Sequence, residues 1–455
     1  MKRIRYLITG TGPAGIGAAE EILKRDKNPE IIIFSKEPYL PYSRALLPYL
    51  LSSQIKEEEI YYDRKDVYKN PNVSLKLGEK VSSIDFKKNQ IIINNNKKIS
   101  FDYLLIATGG RTLLPEIEGI NSSKISSFST LDDYKTIQHK IKSTKKAVVI
   151  GGGLVGVKAA ISLKKLGVNV ILIELLSNIL NTILDKEGSS TLEKFLEKKG
   201  IEIRVNSKIE RIIFKRDGEL SGVTLEGGEK IESDMVINAA GIRPNLEIVE
   251  DSEIKTNQGI IVDKHLKTNI ENVYAAGDVA EAYDMLRQSY WINPNWTCAF
   301  QQGRIAGANM AGANEEYSGS FAMNSLEFYS LPCISMGIVN ASSQAMHEVK
   351  RVIPARDIYR KIFIKDGKLI GAILIGDLER AGTLNFLLRN QIDVSNVAED
   401  ILDDKYNFIA LLKELRKKEM LGEVTWPESL SSTEKYKKHI DLEKWTQRVS
   451  QEDEK

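Results

Sequence analysis

Apolar positions along this chain come in short continuous runs separated by longer helical stretches. Such runs mark strands buried on both faces, and their alternation with helices marks an α/β protein. Ile4 to Ile8 is the first run. It leads into Gly10-Thr11-Gly12-Pro13-Ala14-Gly15 and an Ala-rich helical stretch to about Arg25, and Ile31 to Phe34 forms the next strand. The order recurs at Lys146 to Ile150, then Gly151-Gly152-Gly153-Leu154-Val155-Gly156, a helix through Leu166, and Val170 to Ile173. A Gly-rich turn between strand and helix lets the backbone approach a pyrophosphate and aims the helix N-terminus at it. One such motif says little, but two in register within one chain are informative.

Further strands end in small-residue turns: Phe101 to Gly110, Asp234 to Gly241, and Val273 to Ala280 with Gly277-Asp278 at its turn. An Asp in that position can accept hydrogen bonds from a polyol. From about Met323 the pattern turns β-rich. Tyr359 to Lys365 and Leu369 to Ile375 flank Asp366-Gly367, a strong hairpin signal. Gly376 to Gly382 then opens a helix. Beyond Leu402 an amphipathic helix is expected over Phe408 to Leu421, with a second polar segment carrying Tyr436, Ile440, Leu442 and Trp445. Its apolar faces suit either docking to a partner subunit or folding back on its own domain.

Length and composition narrow the classes. A chain of 455 residues is too long for one core, so two or three domains are expected. With 64 Lys and Arg against 62 Asp and Glu it lacks the basic excess of a nucleic-acid binder. Residues 401–455 carry 11 basic and 12 acidic residues, which argues against a basic arm. Two cysteines, Cys298 and Cys333, cannot build a disulfide framework or a conventional cluster, and four unpaired histidines make no metal site. No apolar run reaches the roughly 18 residues of a membrane helix, and no signal-peptide core follows Met1, so a cytoplasmic protein is expected.

Glu174 ends the strand after the second Gly motif, where a carboxylate accepts from both hydroxyls of an adenosine ribose. Leu175 and Leu176 follow it, with no cation for a 2′-phosphate, so the site favours NAD(H) over NADP(H). The first site has Ser35 at the matching position. Glu37 lies close by, either reaching the ribose or remaining a solvated loop charge.

Both Gly motifs, the Ala107-Thr108-Gly109 turn, Gly241-Ile242-Arg243-Pro244-Asn245 and Gly277-Asp278 follow one another as in the pyridine nucleotide–disulfide oxidoreductases, which the chain resembles over about residues 4 to 310. The resemblance implies two Rossmann-like folds, one inserted in the other, and an α+β C-terminal interface domain. The implied boundaries are 1–112 with 243–320 for FAD, 113–242 for NAD(H), 321–400 for the interface domain, and 401–455 for a helical extension. It implies FAD on Gly10, Gly12, Pro13, Ala14, Gly15, Ser35, Glu37, Arg44, Val81, Ala107, Thr108, Gly109, Gly277 and Asp278. NAD(H) would lie on Gly151, Gly153, Gly156, Glu174 and Gly241.

Disulfide reductases of this family carry one or two cysteines after the first fold's second strand. This chain reads Pro41-Tyr42-Ser43-Arg44-Ala45-Leu46-Leu47-Pro48-Tyr49-Leu50 there, without a thiol for that chemistry. The segment is similar to NADH–rubredoxin reductases and the flavin portion of assimilatory nitrite reductases, and the chain also resembles flavin subunits of phenylglyoxylate dehydrogenase and tungsten aldehyde oxidoreductase. The resemblance implies transfer of electrons from NADH through FAD to an iron–sulfur or rubredoxin-type protein, either a separate protein or a partner subunit of a larger complex; many relatives are homodimers. A self-contained NADH oxidase and a redox-inactive FAD-binding protein are the alternatives.

One position departs from the pattern. Relatives place a Glu on the helix after the second Gly motif, paired with a Lys of the first fold near the nicotinamide; this chain has Lys158, with Arg44 near the expected Lys. Either the two cations raise the potential at the flavin, or Lys158 turns to solvent and Arg44 binds an FAD phosphate.

Overall fold

The computed structural model describes residues 3–340, 346–404, 406–408 and 411. Two five-stranded parallel sheets dominate it. In the first, the strands Val273–Ala275, Tyr103–Ile106, Arg5–Thr9, Glu30–Ser35 and Val73–Leu77 lie side by side in that order. In the second the order is Glu202–Arg204, Asn169–Ile173, Lys146–Ile150, Met235–Asn238 and Ser126–Ser127. In both, the strand feeding the Gly-rich turn is central, and its residues are almost wholly buried because helices cover both faces.

The second sheet is inserted between two passes of the chain. Gly110–Thr112 leaves the first fold and Ile242–Pro244 returns to it, paired antiparallel. Thr108 Oγ1 donates to the Asn245 carbonyl at 2.8 Å, and the Asn245 N–H donates to the Gly109 carbonyl at 2.8 Å, which clamps the exit to the return.

The first Gly-loop helix, Pro13–Arg25, lies against the helix Trp296–Met310. Their backbones approach closely because the interface is glycine and alanine: a Cβ on Gly303 would run into the Ala14 carbonyl, and one on Gly307 into that of Ala18. This helix begins at Trp296. Asn295 caps it by accepting the Cys298 N–H at 2.8 Å, so Trp296 belongs to its first turn.

The C-terminal unit is an antiparallel sheet in the order Met323–Phe328, Leu331–Gly337, Lys368–Ile375, Ile358–Lys365, His347–Ile353. Asp366 and Gly367 both have positive φ, the geometry of a tight two-residue hairpin. The helix Ala381–Asn390 covers one face with Leu384, Leu387 and Leu388, and Ile401 and Leu402 are buried in the same core. A single apolar core joins all three units: Leu47, Leu50, Val157, Ala160, Phe328 and Tyr359 belong to it. The expected amphipathic helix over 408–421 and the segment after it lie outside the described residues, apart from Phe408 and Leu411.

Candidate functional site

The two Gly-rich turns are built alike. Gly10 has φ +127° and its N–H donates to the Phe34 carbonyl at 2.8 Å; Gly151 has φ +100° and donates to the Ile173 carbonyl at 2.8 Å. A Cβ on Gly15 would collide with the Gly10 carbonyl, and one on Gly156 with the Gly151 carbonyl. The middle glycine differs: nothing lies within 4 Å of where a Cβ would stand on Gly12 or Gly153. Each is the N-cap of its helix, and no side chain caps either one. The first N–H groups of both helices therefore face open space with their positive dipole ends, as a dinucleotide pyrophosphate requires. Pro13 occupies the first helical position without losing a needed donor.

At the second turn, Glu174 Oε2 accepts from the Gly152 N–H at 2.5 Å and Oε1 from the Leu176 N–H at 2.8 Å. The carboxylate is thereby held at the lip of the cradle. Leu175 and Leu176 beside it are exposed apolar residues. Gly241, at the matching edge, has φ +129° and open space around it.

Around the first turn, Ser35 Oγ accepts the Glu37 N–H at 3.1 Å. Glu37 is buried, so it is not a solvated loop charge. Its carboxylate accepts from Tyr42 Oη at 2.6 Å and pairs with Arg44, whose guanidinium also donates to the Ser129 carbonyl. Tyr42 Oη in turn accepts the Leu131 N–H at 2.9 Å. Arg44 thus ties the first fold to the segment that enters the second. Val81 starts a strand and is buried opposite Ile93.

Asp278 follows Gly277, whose N–H is fixed by Gln302 Oε1 at 2.8 Å. Burial pushes the Asp278 carboxyl up to about 6, against the opposing pull of the Arg44 guanidinium. Ala107, at the end of the neighbouring strand, bonds back to the Thr9 carbonyl at 3.0 Å. Asp278 feels the Arg44 charge, and Gly277 and Ala107 pack against the Gly10–Gly15 turn, so uncapped amides for phosphates and a half-buried acceptor for hydroxyls come together as a flavin dinucleotide requires.

A family model described as pyridine nucleotide-disulphide oxidoreductase matches residues 4–303. The chain belongs to that family. Residues 323–392 match the rubredoxin NAD+ reductase C-terminal domain. The chain is 30% identical over 415 residues to the assimilatory nitrate reductase electron transfer subunit of Bacillus subtilis, covering 89% of this chain and 51% of that one. It thus spans about half the length of that relative. It is also 30% identical over 404 residues to the NADH-rubredoxin oxidoreductase of Clostridium acetobutylicum, covering 88% of this chain and 97% of that one. The crystal structure of NADH:rubredoxin oxidoreductase from Clostridium acetobutylicum aligns with TM-score 0.71 at 28% identity, over 91% of this chain and 100% of that one.

For an oxidoreductase of this family, the thiols of this chain are out of reach. Cys298 and Cys333 are buried and unpaired, and burial raises both, Cys333 to about 12. Thiolates do not form there at neutral pH.

Lys158 neither turns to solvent nor meets Arg44. It is 9% exposed, and its Nζ donates to Tyr49 Oη at 3.0 Å and to the Glu327 carbonyl, beneath the rings of Tyr49 and Phe328. The residue of the first fold that answers Lys158 is therefore Tyr49. Sequence reading also missed Tyr42 and Gln302, whose roles rest on contacts across long stretches of chain. The position of Tyr49 five residues after Arg44, in the same segment, was the one signal for it.

Proposed function

We propose that this chain is an FAD-dependent oxidoreductase that takes electrons from NADH and delivers them singly to an iron–sulfur or rubredoxin-type protein. The observation that carries the reading is the pair of matched open cradles in a chain whose Pro41–Leu50 segment holds no thiol. On this reading residues 1–112 and 243–320 hold FAD, residues 113–242 hold NADH, and 321–400 form the interface domain. An electron-accepting partner subunit would dock on this body, onto whose interface-domain core the start of the 401–455 extension folds back through Ile401, Leu402 and Leu411. The relative named as an electron transfer subunit supports that arrangement, in which the iron centre belongs to the partner.

A bound flavin supplies the chemistry, accepting electrons from NADH in pairs and releasing them one at a time. The protein's own residues bind and orient. Gly10, Gly12, Pro13, Ala14 and Gly15 present amides to the FAD pyrophosphate, with Ser35, Glu37 and Val81 toward the adenosine. Asp278 accepts from the ribityl hydroxyls, and Arg44, anchored on Glu37, provides the cation of this site. Ala107, Thr108, Gly109 and Gly277 supply close backbone walls. Gly151, Gly153, Gly156 and Gly241 do the same for the nicotinamide dinucleotide, and Glu174 accepts its ribose hydroxyls while repelling a 2′-phosphate. No helix among the described residues is long and apolar enough to cross a membrane. Two buried, unpaired thiols accord with a reducing cytoplasm.

Anaerobic titration of the yellow protein with NADH and, separately, NADPH tests the reading. Bleaching of the flavin by NADH at far lower concentration than by NADPH is expected. Failure of both nucleotides to bleach it would remove the proposal.

A further inference from the structure

Where the first fold, the second Gly-loop helix and the C-terminal sheet meet, three lysines surround one aromatic corner. Lys158 lies under Phe328, and Lys165 and Lys199 both stand over the Tyr329 ring, at 5.4 and 5.8 Å from its centre. None of the three forms an ion pair with a carboxylate among the described residues. Lys165 donates to Gln54 Oε1 at 2.8 Å, and Lys199 lies against the Phe195 and Tyr329 rings. Lys158 is the sharpest case, because the residue is only 9% exposed and its ammonium has a phenol, a carbonyl and two ring faces as its contacts. A buried cation without a counter-ion is costly, and neutral acceptors and ring faces compensate it only in part.

Directly beside it is a small polar cavity of about 20 Å³, lined by Tyr49, Gln54, Lys158, Ser162, Lys165 and Tyr329. That space holds one water-sized occupant and no more. We infer that this corner is a binding site for a single small inorganic anion, of halide size, held by the Lys158 ammonium and approached past Lys165 and Lys199. Neither Gly-rich turn contributes to it, so it is distinct from the two pyrophosphate-binding turns. A bound anion would complete the charge balance where these three units meet. Glu327 also lines the cavity, and its exposed carboxylate competes with an anion for the same lysines.

The test uses the full-length, flavin-loaded protein with NAD+ saturating, so that the nucleotide cradles cannot take up the probe. Chloride-35 NMR line broadening is followed as chloride replaces gluconate, which is too bulky for the cavity, at constant ionic strength. Saturable broadening is expected, with the melting temperature rising by a few degrees over the same range. In Lys158→Met the apparent affinity should fall by at least about tenfold, and in Glu327→Gln it should rise. Broadening that does not saturate in the wild-type protein would overturn the proposal, as would equal affinity in Lys158→Met. If Lys158→Met does not fold, the wild-type titration and the rise in Glu327→Gln decide the matter. Flavin bleaching by NADH is read independently, so a failed anion site leaves the redox assignment untouched.

Discussion

At the scale of single residues, the account rests on where a side chain is forbidden and where a charge is held. A Cβ on Gly156 has no room beside the Gly151 carbonyl. Gly156→Ala should therefore destabilise the second fold by about 1–3 kcal/mol. It should also weaken NADH binding in a titration while the flavin absorbance is retained. On the proposed reading, specificity for the adenosine ribose is carried by Glu174 with the uncharged Leu175 next to it. Replacing Glu174 by Ser and Leu175 by Arg should lower the NADH-to-NADPH ratio of kcat/KM by at least about tenfold, since a repulsion becomes an ion pair. Asp278 gives a pH signature. Its carboxyl is raised in the fold to about 6 from the ordinary 3.8. Its contribution to stability is therefore fully present below pH 4 and lost as pH rises through 6. In flavin-free protein Asp278→Asn should be more stable than wild type above pH 6, by on the order of 2 kcal/mol. Denaturant curves should show the difference vanishing near pH 4. Ionised Asp278 has an unfavourable site until hydroxyl donors arrive, which is what a binding residue, rather than a scaffold residue, looks like.

At the scale of elements, the buried polar contacts concentrate where units join. Lys361 on the C-terminal sheet pairs with Asp185 at 2.8 Å, and Tyr359 Oη donates to the same carboxylate at 2.7 Å. Asp185 also caps the helix Lys186–Lys198 of the second fold. Lys361→Met would leave a buried carboxylate with too little compensation, and a loss of about 3–5 kcal/mol is expected from urea unfolding. The double variant with Asp185→Asn should recover part of it. The strands themselves were legible in sequence, because a parallel strand buried on both faces is an unbroken apolar run. Lys146–Ile150 is found as read. The start of the helix at Trp296 was not legible, since the deciding feature is one Asn cap.

At the scale of the whole molecule, the inserted arrangement was readable from the order of the turns, whereas the partners of Lys158 were not. Tyr49 is 109 positions away and Glu327 is 169. No local pattern links them; only the packing of three units does. That same packing makes a continuous core from Leu47 through Val157 to Phe328. The C-terminal sheet is therefore part of the body that carries both cradles. A molecule with two dinucleotide cradles and only buried, protonated thiols has no two-electron thiol route for what it takes from NADH. Its outlet must be the flavin itself. The most direct test is anaerobic rapid mixing of the NADH-reduced protein with an oxidised rubredoxin-type protein, following both chromophores. Flavin colour should return in step with reduction of about two iron centres per flavin, as one-electron release from a two-electron carrier demands. A reduced flavin that stays bleached in the presence of the iron protein and recovers its colour only with oxygen would contradict the account.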